Sequence, residues 1–246
     1  MAPFLNRLPE SNAEALTLEA IWFLAETLLI SMAAGTFGAL LGLGGGVILV
    51  PVLTLALGVD IHYAIGASIV SVIATSSGAA AAYLRDGITN MRVGMVLETA
   101  TTTGAIAGAV VAAYVGGPAL YALFGILLLY SAAIMFRHRH AELPTGVEMG
   151  TLASRLRLQG SYEDTALNCV VEYNVRGVRY GLPLMFVAGA VSGLLGIGSG
   201  VLKVPAMDIA MKLPMKVSTA TSNFMIGVTA AASAGVYFAR GYVNPL

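Results

Sequence analysis

The sequence predicts an all-α, polytopic membrane protein made of two related halves, with glycine-broken, re-entrant helices and about seven membrane helices in all. Three observations predict it. Apolar residues make up 57% of the 246-residue chain and charged residues 11%, with a mean hydropathy of +0.83, where a soluble domain carries about 25% charged residues. Several stretches exceed the roughly 20 apolar residues that cross a bilayer core of about 30 Å. The third observation is a repeat: LLGLGGGVILVPVLTLA at 40–56 returns as LLGIGSGVLKVPAMDIA at 194–210, 154 residues on. The register holds without a gap through Pro51/Pro205, Ser68/Ser222, Thr75/Thr229 and Tyr83/Tyr237 to Gly87/Gly241, with 14 identities over the 50 positions from 38 to 87. Apolar segments interrupted by Gly and Pro at matching places in two halves point to a transporter whose binding site lies at the interruptions.

The elements follow in order. Residues 1–19 are polar and carry Glu10, Glu14 and Glu19, which is not the pattern of a cleavable signal peptide. The apolar stretch from 18 to 57 is too long for one crossing at about 1.5 Å per residue. Gly42, Gly44, Gly45 and Gly46 break it and Pro51 follows, so a full helix over 18–41 and a short one over 46–58 are expected. Helices over 62–84, 93–115 and 118–136 come next, the last two forming a tight hairpin across Gly116-Gly117-Pro118. This first transmembrane repeat occupies 1–136. Residues 137–179 form a polar segment, within which 157–163 and 167–175 read as two short strands around Glu163-Asp164. The second repeat occupies 180–246: a helix over 181–197, a break at 196–200, then helices over 201–212 and 216–238. Nothing after it matches the 93–136 hairpin, so the second half reads as short of its last two helices.

Arginines at 137, 139, 155, 157, 176 and 179, together with Arg85 and Arg92, place the polar segment and the 85–92 turn in the cytoplasm. If 18–58 re-enters or crosses twice, the first half crosses an odd number of times. The repeats are then inverted, with the amino end outside and Lys212 and Lys216 inside. A single crossing of 18–58 gives parallel repeats instead.

The composition also excludes. The formal net charge is zero, so nucleic acid has no electrostatic hold. Cys169 is the one cysteine, which rules out an intramolecular disulfide and a multi-cysteine metal site. His138 and His140 alternate with Arg137 and Arg139 at the end of a membrane helix and mark a boundary; with His62 they complete the histidines. GLGGGV lacks the third glycine of a dinucleotide fingerprint, and GIGSG is not a nucleophile elbow. No enzymatic motif, cofactor or metal site is expected.

The residues that could carry chemistry are few. Gly44, Gly45 and Gly46 precede one half-helix, and Gly198, Ser199 and Gly200 precede the other. Free N–H groups and the dipole at such starts attract anions. Lys203 lies in an apolar run and is costly there unless paired or hydrated. A pair with Asp208, roughly 140° around the helix, is poor. Ser68, Ser222 and Asn223 can hydrogen-bond an oxyanion without adding charge. Glu26 and Glu98, the latter followed by Thr99, Thr101, Thr102 and Thr103, are candidates with Asp208 for ion coupling, because intramembrane carboxylates relay protons.

On GLGGGVILVP at 42–51, GIGSGVLKVPAM at 196–207 and PMKVSTATSNFMIGVTAAASAGVYFARGYVNP at 214–245, the chain resembles the TauE/SafE family of sulfite and organosulfonate exporters. The resemblance implies a cell-membrane carrier for small sulfur-containing anions, driven by an ion gradient and working by alternating access. Ser199 stands where the family more usually has the middle glycine of GGG. A carrier for a carboxylate and a non-transporting assembly protein are the competing readings, and a homodimer is expected on general grounds.

Overall fold

The computed structural model describes residues 10–137, 150–164 and 168–242. His138, Arg139 and His140 lie outside the described residues, as does the family-like stretch beyond 242. Helix α1 spans Glu10–Leu41, starting earlier than its apolar run, with Glu10, Glu14 and Glu19 in its opening turns.

The chain turns through Gly42–Gly45 and enters the short α2, Gly46–Pro51, which runs straight into a π-helical turn at Val52–Ala56. Pro51 offers no N–H to the helical ladder, and the widened turn takes up the shift. Leu49 and Leu53 of this segment pack with Ala34 and Ile30 of α1, so α2 folds back along α1 as a helical hairpin. The second half does the same. Helix α7, Val178–Leu195, turns at Gly196–Ser199 into α8, Gly200–Pro205, and a π turn at Ala206–Ala210. The Arg176 N–H reaches back to the Met211 carbonyl at 3.1 Å. The two turns share backbone conformation: φ is 70, 86 and 72° at Gly42, Gly44 and Gly45, against 65, 82 and 60° at Gly196, Gly198 and Ser199.

Between the two hairpins lie α3 (Ile61–Arg85, capped by Asp60), α4 (Met91–Ala112, capped by Asn90) and α5 (Gly117–Arg137); α9 (Met215–Ala239) follows the second. Helices α3 and α9 run antiparallel: Tyr242, past the end of α9, stacks on His62 at the start of α3, and Asn90, past the end of α3, donates its N–H to Thr221 early in α9. Among the described residues, five helices are long and apolar enough to cross a membrane: the Leu24–Leu41 part of α1, α3, α4, the Gly117–Ile134 part of α5, and α7. Helix α9 is as long as α3, but Ser218, Thr219, Thr221, Ser222 and Asn223 keep its hydropathy below that measure.

Helices α4 and α7 interlock. Gly104 and Gly108 rest on the backbone of Phe186 and Ala190, and Gly189 and Gly193 rest on the backbone of Thr101 and Ala105. A side chain at any of the four would overlap the opposing main chain. This small-residue spacing permits close packing in a medium that offers no hydrophobic drive between helices.

The polar segment contains a one-turn helix α6 (Thr151–Arg155) and an antiparallel hairpin of β1 (Gly160–Asp164) and β2 (Cys169–Tyr173), registered from Gly160↔Tyr173 to Asp164↔Cys169. Glu163 and Asp164, expected at the turn, belong to β1. The reason is tertiary: Asp164 lies on the strand's inner face, and both its oxygens accept from the Lys216 ammonium at 2.8 Å. The hairpin also holds α4, since the Asn90 amide donates to the Leu158 carbonyl and the Tyr173 hydroxyl, both at 2.9 Å. Burial raises the Tyr173 phenol above its ordinary value, against the pull of the Asn90 bond, so Tyr173 stays a neutral partner. Lys216→Ala takes the ammonium away from the 3%-exposed Asp164 carboxylate. It should cost about 1–2 kcal/mol and speed tryptic cleavage at Arg155 and Arg157, as followed by limited proteolysis.

Candidate functional site

The site is built where the two glycine turns meet. Gly46 sits so close to the opposite turn that an added Cβ would lie 3.0 Å from the Gly196 carbonyl, and one on Gly200 would overlap the Gly42 carbonyl. Two serines at repeat-equivalent positions tie the turns crosswise. Ser68 of α3 donates to the Gly196 carbonyl at 3.0 Å, and Ser222 of α9 donates to the Gly42 carbonyl at 2.9 Å. Each half thus satisfies the carbonyl just past the end of the other half's broken helix, where the helix itself supplies no donor. Asn223 donates to the Ala39 carbonyl at 2.8 Å, and its Oδ1 is buried without a partner. Gly44 and Gly198 pack against Ile226 and Val72, and Gly45 against the Ala34 carbonyl. In this conformation the starts of α2 and α8 are therefore filled by protein.

Ser199 adopts φ +60° as the residue before α8, its hydroxyl directed at the neighbouring Gly198 carbonyl at 2.6 Å and not at the helix start. The left-handed region costs an L-residue roughly 1–2 kcal/mol. Ser199→Gly should therefore stabilise the protein by about 1 kcal/mol, read as a higher melting temperature in detergent.

One turn into α8, Lys203 is fully buried. Its ammonium donates to the Thr229 hydroxyl at 2.6 Å and lies 3.7 Å from Glu98 Oε2. Glu98, on α4, accepts from three hydroxyls: Thr229 at 2.6 Å and Thr102 at 2.8 Å on Oε1, and Thr101 at 2.8 Å on Oε2. Thr101 and Thr102 reach it because positions i+3 and i+4 share a helix face. The network joins α4, α8 and α9. It pairs two opposite charges and satisfies both carboxylate oxygens, the condition under which buried ions are tolerated. Chemically it is a cation with converging hydroxyls, occupied by a carboxylate.

The other coupling candidates are elsewhere. Glu26 is exposed on α1, and Asp208 is half-buried in the second π turn, while the ion pair of Lys203 runs to Glu98. Sequence reasoning misses Thr229 as a site residue, although its identity with Thr75 across the repeat is a usable signal. Thr101 and Thr102 are visible in the sequence only as neighbours of Glu98.

A family model described as sulfite exporter TauE/SafE matches residues 27–246. The chain is similar to the probable membrane transporter protein YunE of Bacillus subtilis (strain 168), 28% identical over 223 residues, covering 87% of this chain and 78% of that protein. It is also similar to the probable membrane transporter protein YdhB of the same organism, 23% identical over 218 residues, covering 88% and 80%. A third relative is a probable membrane transporter protein of Xylella fastidiosa (strain 9a5c), 28% identical over 193 residues; the match covers 76% of this chain and 64% of that protein. No solved structure matches the chain.

Proposed function

Because this chain belongs to the sulfite exporter TauE/SafE family, a family of membrane transporters, we propose that it is a secondary carrier exporting small sulfur-containing anions. Sulfite, sulfoacetate or another organosulfonate crosses the cytoplasmic membrane by alternating access, coupled to an ion gradient. The observation that carries this reading is the fully buried Lys203 ammonium beside the junction of the two broken helices. A buried cation at such a junction is where an anion would be held.

When the two glycine turns part, Ser68 and Ser222 lose their carbonyl partners and, with Asn223, turn to the anion. The N–H groups at Gly44–Gly46 and Gly198–Gly200 then face it too. The antiparallel α3 and α9 support inverted repeats, with about seven membrane crossings, since an inverted pair sets its equivalent helices head to tail. The β-hairpin beside the arginine-bearing ends supports a cytoplasmic side there. Among the three acids, Glu98 is the coupling residue of this reading, through its contact with Lys203. The carrier's surroundings are the bilayer and, in a dimer, a second copy. A carboxylate substrate is the second reading, favoured by one fact: the group Lys203 faces in this structure is itself a carboxylate.

The experiment is anion flux in proteoliposomes, comparing sulfite, sulfoacetate, taurine and acetate, with wild type and Lys203→Ala. Saturable flux of a sulfur oxyanion, lost in the variant, is the expected result. Flux of acetate alone selects the carboxylate reading. No flux of any of them from folded protein removes the function proposed.

A further inference from the structure

We infer that Glu98 is a tethered stand-in for the transported anion, and that the two exchange places on Lys203 with the uptake of one proton. The inference rests on the anion-carrier reading and deepens it by giving the coupling ion, the stoichiometry and the net charge moved.

The argument begins with charge. In this structure one ammonium faces one carboxylate and the buried charge sums to zero. An anion added while Glu98 stays ionised leaves an excess negative charge, and nothing nearby can offset it. On α8, Lys203 is the one cation; Asp208, on the π turn that follows, is an acid. Helix α7 carries no titratable side chain after Tyr180, and α9 carries none between Lys216 and Tyr237. Helix α3 has its titratable groups at its two ends, His62 and Tyr63 at one and Tyr83 and Arg85 at the other. Helix α5 carries the exposed Tyr121 and Tyr130 and ends at Arg137. On α4 itself the other charged residue is Arg92, whose guanidinium donates to the Arg157 carbonyl at 3.0 Å. A displaced carboxylate in this setting is uncompensated, and taking a proton from water is its way out.

The surroundings of Glu98 suit both protonation states. Its three close hydrogen-bond partners are hydroxyls, and a hydroxyl can donate or accept. Each state keeps its bonds only if the hydroxyl hydrogens have somewhere else to go. Thr229 Oγ1 also lies 2.8 Å from the Met225 carbonyl, and Thr101 Oγ1 lies 3.1 Å from the Glu98 carbonyl. When the carboxyl becomes a donor, it gives its one hydrogen to one of these hydroxyls, which turns its own hydrogen to the backbone, while the others go on donating. A shell of backbone N–H groups or of arginine would have fixed the ionised form.

The exchange balances. The empty site holds Lys203 as ammonium and Glu98 as carboxylate. The loaded site holds Lys203 as ammonium, the anion, and Glu98 as carboxylic acid. The proton enters with the anion and leaves with it, and both states are neutral. Carriage is therefore electroneutral cotransport of one proton with one monoanion. Membrane potential does not drive it, and acid outside opposes efflux.

The test is titration calorimetry of the full chain in nanodiscs with methanesulfonate and ethanesulfonate, monoanions whose charge is fixed across the pH range used. Runs in buffers of different ionisation enthalpy count the protons taken up. Wild type should take up about one proton per anion, with affinity weakening about tenfold per pH unit as pH rises. Glu98→Gln should bind with no proton uptake and no pH dependence, and Glu98→Asp should restore both. Proteoliposome flux of the same anions should not change under a potassium diffusion potential. A wild type that binds without proton uptake, a Glu98→Gln protein that still takes up a proton, or flux that follows the potential overturns the inference and leaves the carrier reading standing. Folded wild type that binds neither anion removes the carrier reading and the inference with it.

Discussion

Lys203→Met is expected to destabilise the protein by about 3–5 kcal/mol, because it leaves the Glu98 carboxylate buried without its cation. The methionine fits the same volume, so the loss is one of charge and not of packing. Adding Glu98→Gln to it should return most of that stability, since the double variant buries no charge and the side-chain amide keeps an acceptor for the threonine hydroxyls. Melting of the two single variants and the double in the same detergent gives the coupling energy of the pair. Transport should fail in Lys203→Met and in the double variant alike. A double variant that melts like the wild type yet moves no anion separates the two duties of Lys203. One that melts as low as Lys203→Met would mean that its stabilising partner is not Glu98.

Gly200→Ala is expected to cost about 3 kcal/mol and to abolish transport. The new methyl would lie against the Gly42 carbonyl and 2.6 Å from the Leu43 Cα, main-chain atoms of the other turn that have no rotamer in which to retreat. The junction must open to admit it. Gly78→Ala, on α3, is the matched control: nothing beyond its own stretch of helix lies within 4 Å of the added methyl. Helix propensity alone should make that variant about 0.5–1 kcal/mol more stable. Equal losses in the two variants would mean that the turns do not bear on each other.

What is legible in the sequence is local. The breaks at 42–46 and 196–200 can be read because three positions in each, from Gly42 to Gly45 and from Gly196 to Ser199, adopt positive φ, a conformation that glycine enters freely. Lys203 can be read because a charge in an apolar run is anomalous by itself. The partner of Lys203 cannot. Glu98 belongs to a helix of the other half, and the equivalence that pairs Ser68 with Ser222 is silent about it, since Leu49 occupies the position matching Lys203. The roles of Ser68 and Ser222 in this conformation differ in kind from the ligand duty their hydroxyls suggest: each spends its hydroxyl on the opposite half's carbonyl, a bond that exists only once the halves have met. Glu163-Asp164 looks like a turn because turn propensity is local, and the pull of Lys216 that keeps Asp164 in a strand is not. The pairing of α4 with α7 is foreshadowed by the spacing of Gly104 and Gly108 with Gly189 and Gly193, a small-xxx-small signature in both helices.

That interlocked pair has a mechanical meaning. With main chain resting on main chain at Gly104, Gly108, Gly189 and Gly193, neither helix can slide or roll without a clash, so the two form a rigid strut. Glu98 is bolted to that strut through α4. Lys203 is not: it rides on a six-residue lever, α8, joined to the strut by the elbow at Gly196–Ser199, where three residues sit in left-handed torsions. The distance between the two charges is then set by the torsion of one elbow, and the lever's swing is the degree of freedom on which selection for speed, and any inhibitor that wedges the elbow, would act.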